Sequence, residues 1–223
     1  IATGLKYSYN DMKYNRLYEY FKNDLWQTIN DLSGNDRYTE NISAVYFRYT
    51  TRFRNNISLA LGVRGEYTYA VPSTNSTMVA DKQNYFSLFP SFNLSMPLNE
   101  KQSQMFVLSY NRRIRRPSFW TLVPVRTPIS ETSYQVGNPK LQPVFANDIN
   151  FSWIFGRKYS LNLGVQIRKD DIAQVMERAS DNSDMIAFMF KNISNSTQWY
   201  ANLSLPAQIT PWWGMTTNLT GYN

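Results

Sequence analysis

Neither cysteine nor histidine occurs among the 223 residues. Without Cys there are no disulfides, no thiolate nucleophile and no zinc–cysteine site, although the compartment stays open. Without His, every His-dependent catalytic triad or dyad is excluded, and so is the commonest transition-metal ligand. No run approaches the roughly 18 consecutive apolar residues of a transmembrane helix. Acids are fewer than bases, 16 against 23, for a formal charge of +7. The basic residues are spread over strands and turns rather than gathered in one patch with stacking aromatics, so nucleic acid is a poor partner. Mean hydropathy is low at −0.46. A β-barrel tolerates this, because only every second residue of its strands must be apolar.

What the chain does have is aromatic residues, 16% of the total, and alternation. Ile149, Phe151, Trp153 and Phe155 alternate with Asp148, Asn150, Ser152 and Ile154. After Gly156-Arg157-Lys158, Tyr159, Leu161, Leu163, Val165 and Ile167 alternate with Ser160, Asn162, Gly164, Gln166 and Arg168. A period of two sends one set to each face of a strand. The two runs therefore predict a hairpin with an apolar and a polar face. Each matches the roughly 9–11 tilted residues with which a β-strand crosses a bilayer.

The pattern recurs along the chain. Val45, Phe47, Tyr49 and Phe53 oppose Tyr46, Arg48 and Arg52; beyond Arg54-Asn55-Asn56, Leu59, Leu61, Val63 and Tyr67 oppose Ala60, Arg64 and Glu66. Phe86 to Met96, Phe106 to Tyr110, Trp199 to Leu205 and Trp213 to Leu219 complete eight strands in four hairpins. Residues 1–10 add an ascending strand, and 11–41 an outer loop in which Arg16–Phe21 form part of a hairpin. Turns at 54–56, 98–101, 156–158 and 206–211 are short, whereas 70–84, 112–144 and 170–196 are long and polar. Bacterial outer-membrane barrels have this asymmetry, with short periplasmic turns and long extracellular loops. Aromatics cluster at both strand ends, Phe106, Phe155, Tyr159 and Trp213 by the short turns and Tyr67, Tyr110, Phe145 and Trp199 by the long loops. Two such girdles are expected of a transmembrane barrel. The competing architecture is a two-sheet sandwich whose core takes up the same residues, serving as a surface adhesin or glycan-binding module.

Arg112-Arg113-Ile114-Arg115-Arg116-Pro117-Ser118-Phe119-Trp120 and Gly137-Asn138-Pro139-Lys140-Leu141-Gln142-Pro143 are the most distinctive local stretches. Five of the ten prolines lie between Pro117 and Pro143, which predicts a rigid loop. The four arginines suit bidentate contacts to lipopolysaccharide phosphates, or stand as solvated charges at a strand end. These stretches, with Leu88-Phe89-Pro90-Ser91 and Gly62-Val63-Arg64-Gly65-Glu66-Tyr67, resemble the Bacteroidetes-type outer membrane protein beta-barrel family of TonB-dependent receptors. Val144 departs from the Glu common there, which puts a loop carboxylate in doubt. The resemblance covers essentially the whole chain. It implies a barrel of about 22 strands, energy-coupled uptake of a metal chelate, glycan or cofactor, and a cell outer membrane location. It also implies a plug domain, the TonB complex, outer-membrane lipid and a surface lipoprotein as partners.

The expectation is thus an all-β fold, an antiparallel transmembrane β-barrel, with residues 1–223 forming part of one barrel domain and no plug within it. The chain starts and stops inside strand patterns, so about nine to eleven strands of a longer protein are expected. Arg48, Arg52, Arg64, Glu66 and Arg168 occupy polar faces and are expected to face the lumen. Trp120 and Tyr134 are the substrate-binding candidates, on loop length and aromatic character. No cofactor is implied. Asp170, Asp171, Asp181 and Asp184 lack a Gly-containing oxygen-ligand loop, so no metal is assigned. The sequons at Asn41, Asn56, Asn93, Asn202 and Asn218 include three, at Asn93, Asn202 and Asn218, that arise from period-two patterning itself. No convergent carboxylate pair is legible, so an enzyme is not expected, with an outer-membrane hydrolase the remaining catalytic option.

Overall fold

The computed structural model describes residues 1–74, 81–179 and 184–223. Residues 75–80 of the expected 70–84 loop, and 180–183 of the 170–196 loop with Asp181, lie outside the described residues. The strands are β1 (Ala2–Arg16), β2 (Glu19–Lys22), β3 (Leu25–Thr28), β4 (Gly34–Arg52), β5 (Ser58–Thr74), β6 (Gln83–Pro97), β7 (Gln104–Arg115) and β8 (Thr127–Ser130). There follow β9 (Ser133–Val136), β10 (Val144–Phe155), β11 (Tyr159–Lys169), β12 (Ile172–Arg178), β13 (Ile186–Asn192), β14 (Ser196–Thr210) and β15 (Trp213–Tyr222). A short α-helix, α1 (Phe119–Leu122), lies between β7 and β8, and a single 3-10 turn at Arg54–Asn56 joins β4 to β5.

Nine strands make one sheet in the order β1-β4-β5-β6-β7-β10-β11-β14-β15, with β1 and β15 at its edges. Every pairing in it is antiparallel. The register carries the period-two pattern from strand to strand. Leu108, Phe151, Leu163 and Ala201 stand in one row, and Ser109, Asn150, Gly164 and Tyr200 stand in the next. A one-residue slip would exchange the two faces, so this agreement fixes the register. The apolar face is largely uncovered, with Leu61 42%, Leu163 42% and Trp199 60% exposed. An uncovered apolar face of this extent needs an apolar surrounding.

Short turns close one rim. Asn55 and Asn56 adopt left-handed backbone at φ 61° and 60°, which Asn tolerates better than most residues, and Gly156 and Arg157 follow suit at 59° and 63°. Along this rim Phe106, Phe151, Trp153, Phe155 and Tyr159 form a continuous aromatic row with centroids 4.9–6.0 Å apart.

The structure corrects three sequence expectations. The loop placed at 11–41 is shorter, because β1 continues to Arg16 and β4 begins at Gly34. Pairs such as Arg37–Asp11 and Arg16–Asp36 replace apolar residues there, so the strands outrun the hydrophobic period that marks them. The β2–β3 hairpin turns at Asn23-Asp24, both left-handed. The turn placed at 206–211 is also wrong, since β14 runs to Thr210 and Pro206 pairs within it against Thr216. The β11 ladder ends at Ser204, leaving one side of β14 unpaired beyond it, where proline is tolerated. Finally, the long loops 112–144 and 170–196 carry secondary structure of their own.

Tyr200 lies over Gly164, its cross-strand partner, and a Cβ on Gly164 would collide with that ring. Tyr46 covers Gly4 in the same way. Gly164→Ala should therefore cost about 1–2 kcal/mol, the lower range of overpacking because the Tyr200 ring can swing aside. Urea unfolding of the whole protein in lipid vesicles checks this. In a Tyr200→Ala background the cost should vanish, and its persistence there would locate the strain elsewhere.

Candidate functional site

The long-loop rim is where side chains converge. The segment following Arg115 does not splay outward but folds across the polar face of β1, β4 and β5. Phe119, Leu122, Val123 and Leu141 are buried against Tyr38 and Ala70, with Tyr14 packed beside them. Tyr14 stacks on Phe119 at 4.6 Å and meets Trp120 edge-on at 4.9 Å. The sequence motif explains the shape. Asn138 takes the Lys140 N–H on its side-chain oxygen and donates its amide to the Phe190 carbonyl at 2.9 Å, tying the loop to β13. Leu141 is the buried anchor, and Gln83 donates to its carbonyl at 3.2 Å. Gly137 passes so close to Val123 that any Cβ would strike backbone.

Beneath this small core lies a charged cluster. Arg116 donates to Glu66 at 2.6 Å and to Thr68 at 3.1 Å. Arg64 holds the other Glu66 oxygen at 2.6 Å. Glu40 lies 3.9 Å from Arg116 and accepts from Asn10 at 3.2 Å and from the Tyr38 hydroxyl at 3.4 Å. Glu40 and Glu66 are both buried, and a buried carboxylate requires such partners. Tyr38 lies beyond the aromatic rim; burial pushes its phenol up, and the neighbouring Glu40 carboxylate adds to this. On the opposite face of the same extension, Arg37 grips Asp11 with two 2.8 Å hydrogen bonds. The first effect of that contact is to hold the Asp11 carboxyl below its ordinary range.

The two long loops are joined. β8 and β9 come from the first, β12 and β13 from the second, and a parallel β13–β9 pairing makes them one four-stranded sheet. Its core holds Tyr134, Ala179 and Ala187.

The sequence candidates thus sit in different environments. Glu66 and Arg64 belong to the charged cluster, whereas Arg48 and Arg52 are exposed near the short-turn rim. Arg168 is half-buried, 3.2 Å from Gln198 and 3.6 Å from Asp171. Tyr134 is only 5% exposed, with the Arg126 guanidinium 4.7 Å above its ring. Trp120 is 49% exposed and borders a cavity of about 230 Å³ with Arg16, Tyr18, Thr127 and Gln135. Asp171 pairs with Arg115, and Asp184 with Arg178. No group of acids able to hold a metal occurs among the described residues. Glu40, Tyr38 and Arg116 are the members of the site that sequence reasoning left apart. Extending the alternation of β4 past Ile42 would have put Glu40 and Tyr38 on the polar face.

A nine-stranded antiparallel sheet, apolar on one face and polar on the other, with tight turns on one rim and folded loops on the opposite rim, is the wall of an outer-membrane β-barrel. The chain belongs to the outer membrane protein beta-barrel family, matched over residues 1–223. Its fold is similar to the siderophore receptor PirA from Pseudomonas aeruginosa (TM-score 0.58, 12% identity), covering 100% of this chain and 51% of that one. The copper transporter OprC is similar with TM-score 0.69 and 14% identity, over 99% of this chain and 34% of that one. The Serratia marcescens hemophore receptor HasR, solved with its hemophore HasA and heme, is similar with TM-score 0.55 and 12% identity, over 92% and 38%. The chain therefore spans about half or less of the length of these receptors. No curated protein matches it.

Proposed function

We propose that this chain is barrel wall and loop lid of a TonB-dependent receptor that imports a scarce nutrient with energy from the inner membrane. The observation that carries this is the inward fold of segment 116–143 onto the polar face, held by Arg116 to Glu66. A loop pinned over the polar face obstructs the mouth of a pore, as suits a gated receptor rather than an open channel. In this reading the polar face, with Arg48, Arg52, Arg64, Glu66 and Arg168, lines the lumen and meets a plug domain. The folded loops are extracellular, and Trp120 rather than the buried Tyr134 offers its surface to solute. Outer-leaflet lipid, including lipopolysaccharide, surrounds the apolar face, and a surface lipoprotein is a further candidate partner at the loops. The receptor and transporter descriptions of the structural neighbours support transport over hydrolysis. The nutrient is a metal chelate, a glycan or a cofactor.

Uptake by cells carrying the whole protein tests this, with a labelled ferric siderophore, heme and an oligosaccharide as probes. Accumulation of one of them should stop when an uncoupler collapses the proton gradient. Entry that ignores the uncoupler would make the protein a passive pore. Topology has its own check: cysteine at Glu131 should react with an impermeant maleimide on intact cells, and cysteine at Asn99 should not. The reverse pattern would invert the barrel.

A further inference from the structure

Of the four arginines at 112–116, three face carboxylates on the polar side. Arg113 lies 3.6 Å from Asp148, Arg115 lies 2.7 Å from Asp171, and Arg116 binds Glu66. Arg112 differs. It shares the apolar face with Leu108 and Tyr110, and its guanidinium lies 4.6 Å above the Phe145 ring. It has no carboxylate partner among the described residues, and its Nε is buried without a hydrogen bond. Lys169 stands directly across from Phe145 on the neighbouring strand, on the same face, and no carboxylate pairs with it among the described residues either.

Asn147, cross-strand from Arg112, lies between them. The Tyr110 hydroxyl donates to its side-chain oxygen at 2.9 Å, which leaves the Asn147 NH₂ free to donate. Apart from Arg112 and Lys169, the outward positions of β7, β10 and β11 carry no charge at all: Gln104, Phe106, Leu108, Tyr110 and Ile114 on β7, Phe145 to Phe155 on β10, and Tyr159 to Ile167 on β11. The result is a donor-only patch at the long-loop rim, just beyond Tyr110 and Trp199. Phosphates of outer-leaflet lipids lie at that height if the apolar face spans the membrane.

We propose that Arg112, Asn147 and Lys169 form a binding site for the phosphate of an anionic outer-leaflet lipid, with Phe145 stiffening the Arg112 side chain and meeting the upper acyl chain. A guanidinium forks onto phosphate oxygens, an ammonium adds a point charge, and the amide supplies a neutral donor. The inference rests on the outward orientation of this face in the receptor reading, and it adds a specific lipid contact to it.

The test uses the whole protein in phosphatidylcholine nanodiscs, with lipid A and dephosphorylated lipid A as probes and bound lipid counted by native mass spectrometry. Lipid A should bind, and the dephosphorylated form should not. The Arg112→Gln/Lys169→Gln double variant should bind lipid A about ten- to thirtyfold more weakly, the loss of two cations near a charged surface. Arg113→Gln, one residue along but on the opposite face, should bind as the unchanged protein does. Heat-modifiable gel mobility shows that each variant is folded.

Unchanged affinity in the folded double variant would overturn the site. Inorganic phosphate displacing lipid A at millimolar concentration would reduce it to an adventitious anion site, which also overturns it. Loss of affinity in Arg113→Gln but not in the double variant would instead mean that the faces are reversed, and the barrel orientation itself would fail. Nutrient uptake should persist in the double variant, which separates this proposal from the transport function.

Discussion

Arginine placed at Leu163 should destabilise the folded barrel by about 2–4 kcal/mol, the cost of a cation near the bilayer midplane, and arginine at Asn162 should cost far less. The positions are adjacent, near the middle of β11, and share backbone surroundings. Leu163 sits in the apolar row with Phe151 and Ala201. Asn162 sits in the polar row, accepting a hydrogen bond from Ser152 at 2.6 Å. Only the face differs, so β-propensity cannot account for a difference between them. Chemical unfolding from lipid vesicles, with Leu163→Ala as the control for lost packing, gives the two values. Equal losses would mean that neither face contacts lipid.

Removing Arg116 should release the loop. Arg116→Ala leaves Glu66 with Arg64 alone and Glu40 with neutral donors. Breaking a fully buried pair costs about 3–5 kcal/mol. Here the side chains keep 21% and 11% of their exposure, so about 2–3 kcal/mol is the expected weakening of loop closure. Protease nicking within 117–143 on the intact protein should then accelerate about thirtyfold or more. The Glu66→Ala variant should do the same, and the double variant should do little worse than either single one. Unchanged nicking would show that the aromatic core of Phe119, Leu122 and Leu141 holds the loop unaided.

How much of this was legible in the sequence depends on whether one residue's partners lie along a simple period. The β10–β11 hairpin, the turn at 156–158 and the polar and apolar faces follow from alternation, because lipid on one side demands it of every residue. Beyond the membrane that demand stops. β1 past Tyr9 and β4 before Ile42 carry Arg, Asp and Asn on both faces, and their strand character disappears from the pattern. The loop sheet is harder still. Its β8 and β9 are four residues long, and the parallel pairing joins Ser133 to Ile186 across an intervening membrane hairpin. Tyr134 consequently resembled an exposed loop aromatic when it is a core residue. Glu66 and Arg116 were each distinctive alone, but their contact spans fifty positions in sequence and depends on how the loop turns inward.

The most direct test of the barrel account is a single-cysteine scan of β11 from Ser160 to Ile167 in the whole protein, reconstituted in lipid. This chain holds no cysteine of its own, so no native thiol within residues 1–223 competes with the introduced label. Labels at Leu161, Leu163, Val165 and Ile167 should be broadened by lipid-soluble oxygen, and labels at Ser160, Asn162 and Gln166 by a water-soluble nickel chelate or by neither where the plug covers them. A period-two oscillation of oxygen accessibility would bear the account out. Odd positions shielded from oxygen as well as from nickel would mean a core packed against a second sheet, and the chain would be a β-sandwich.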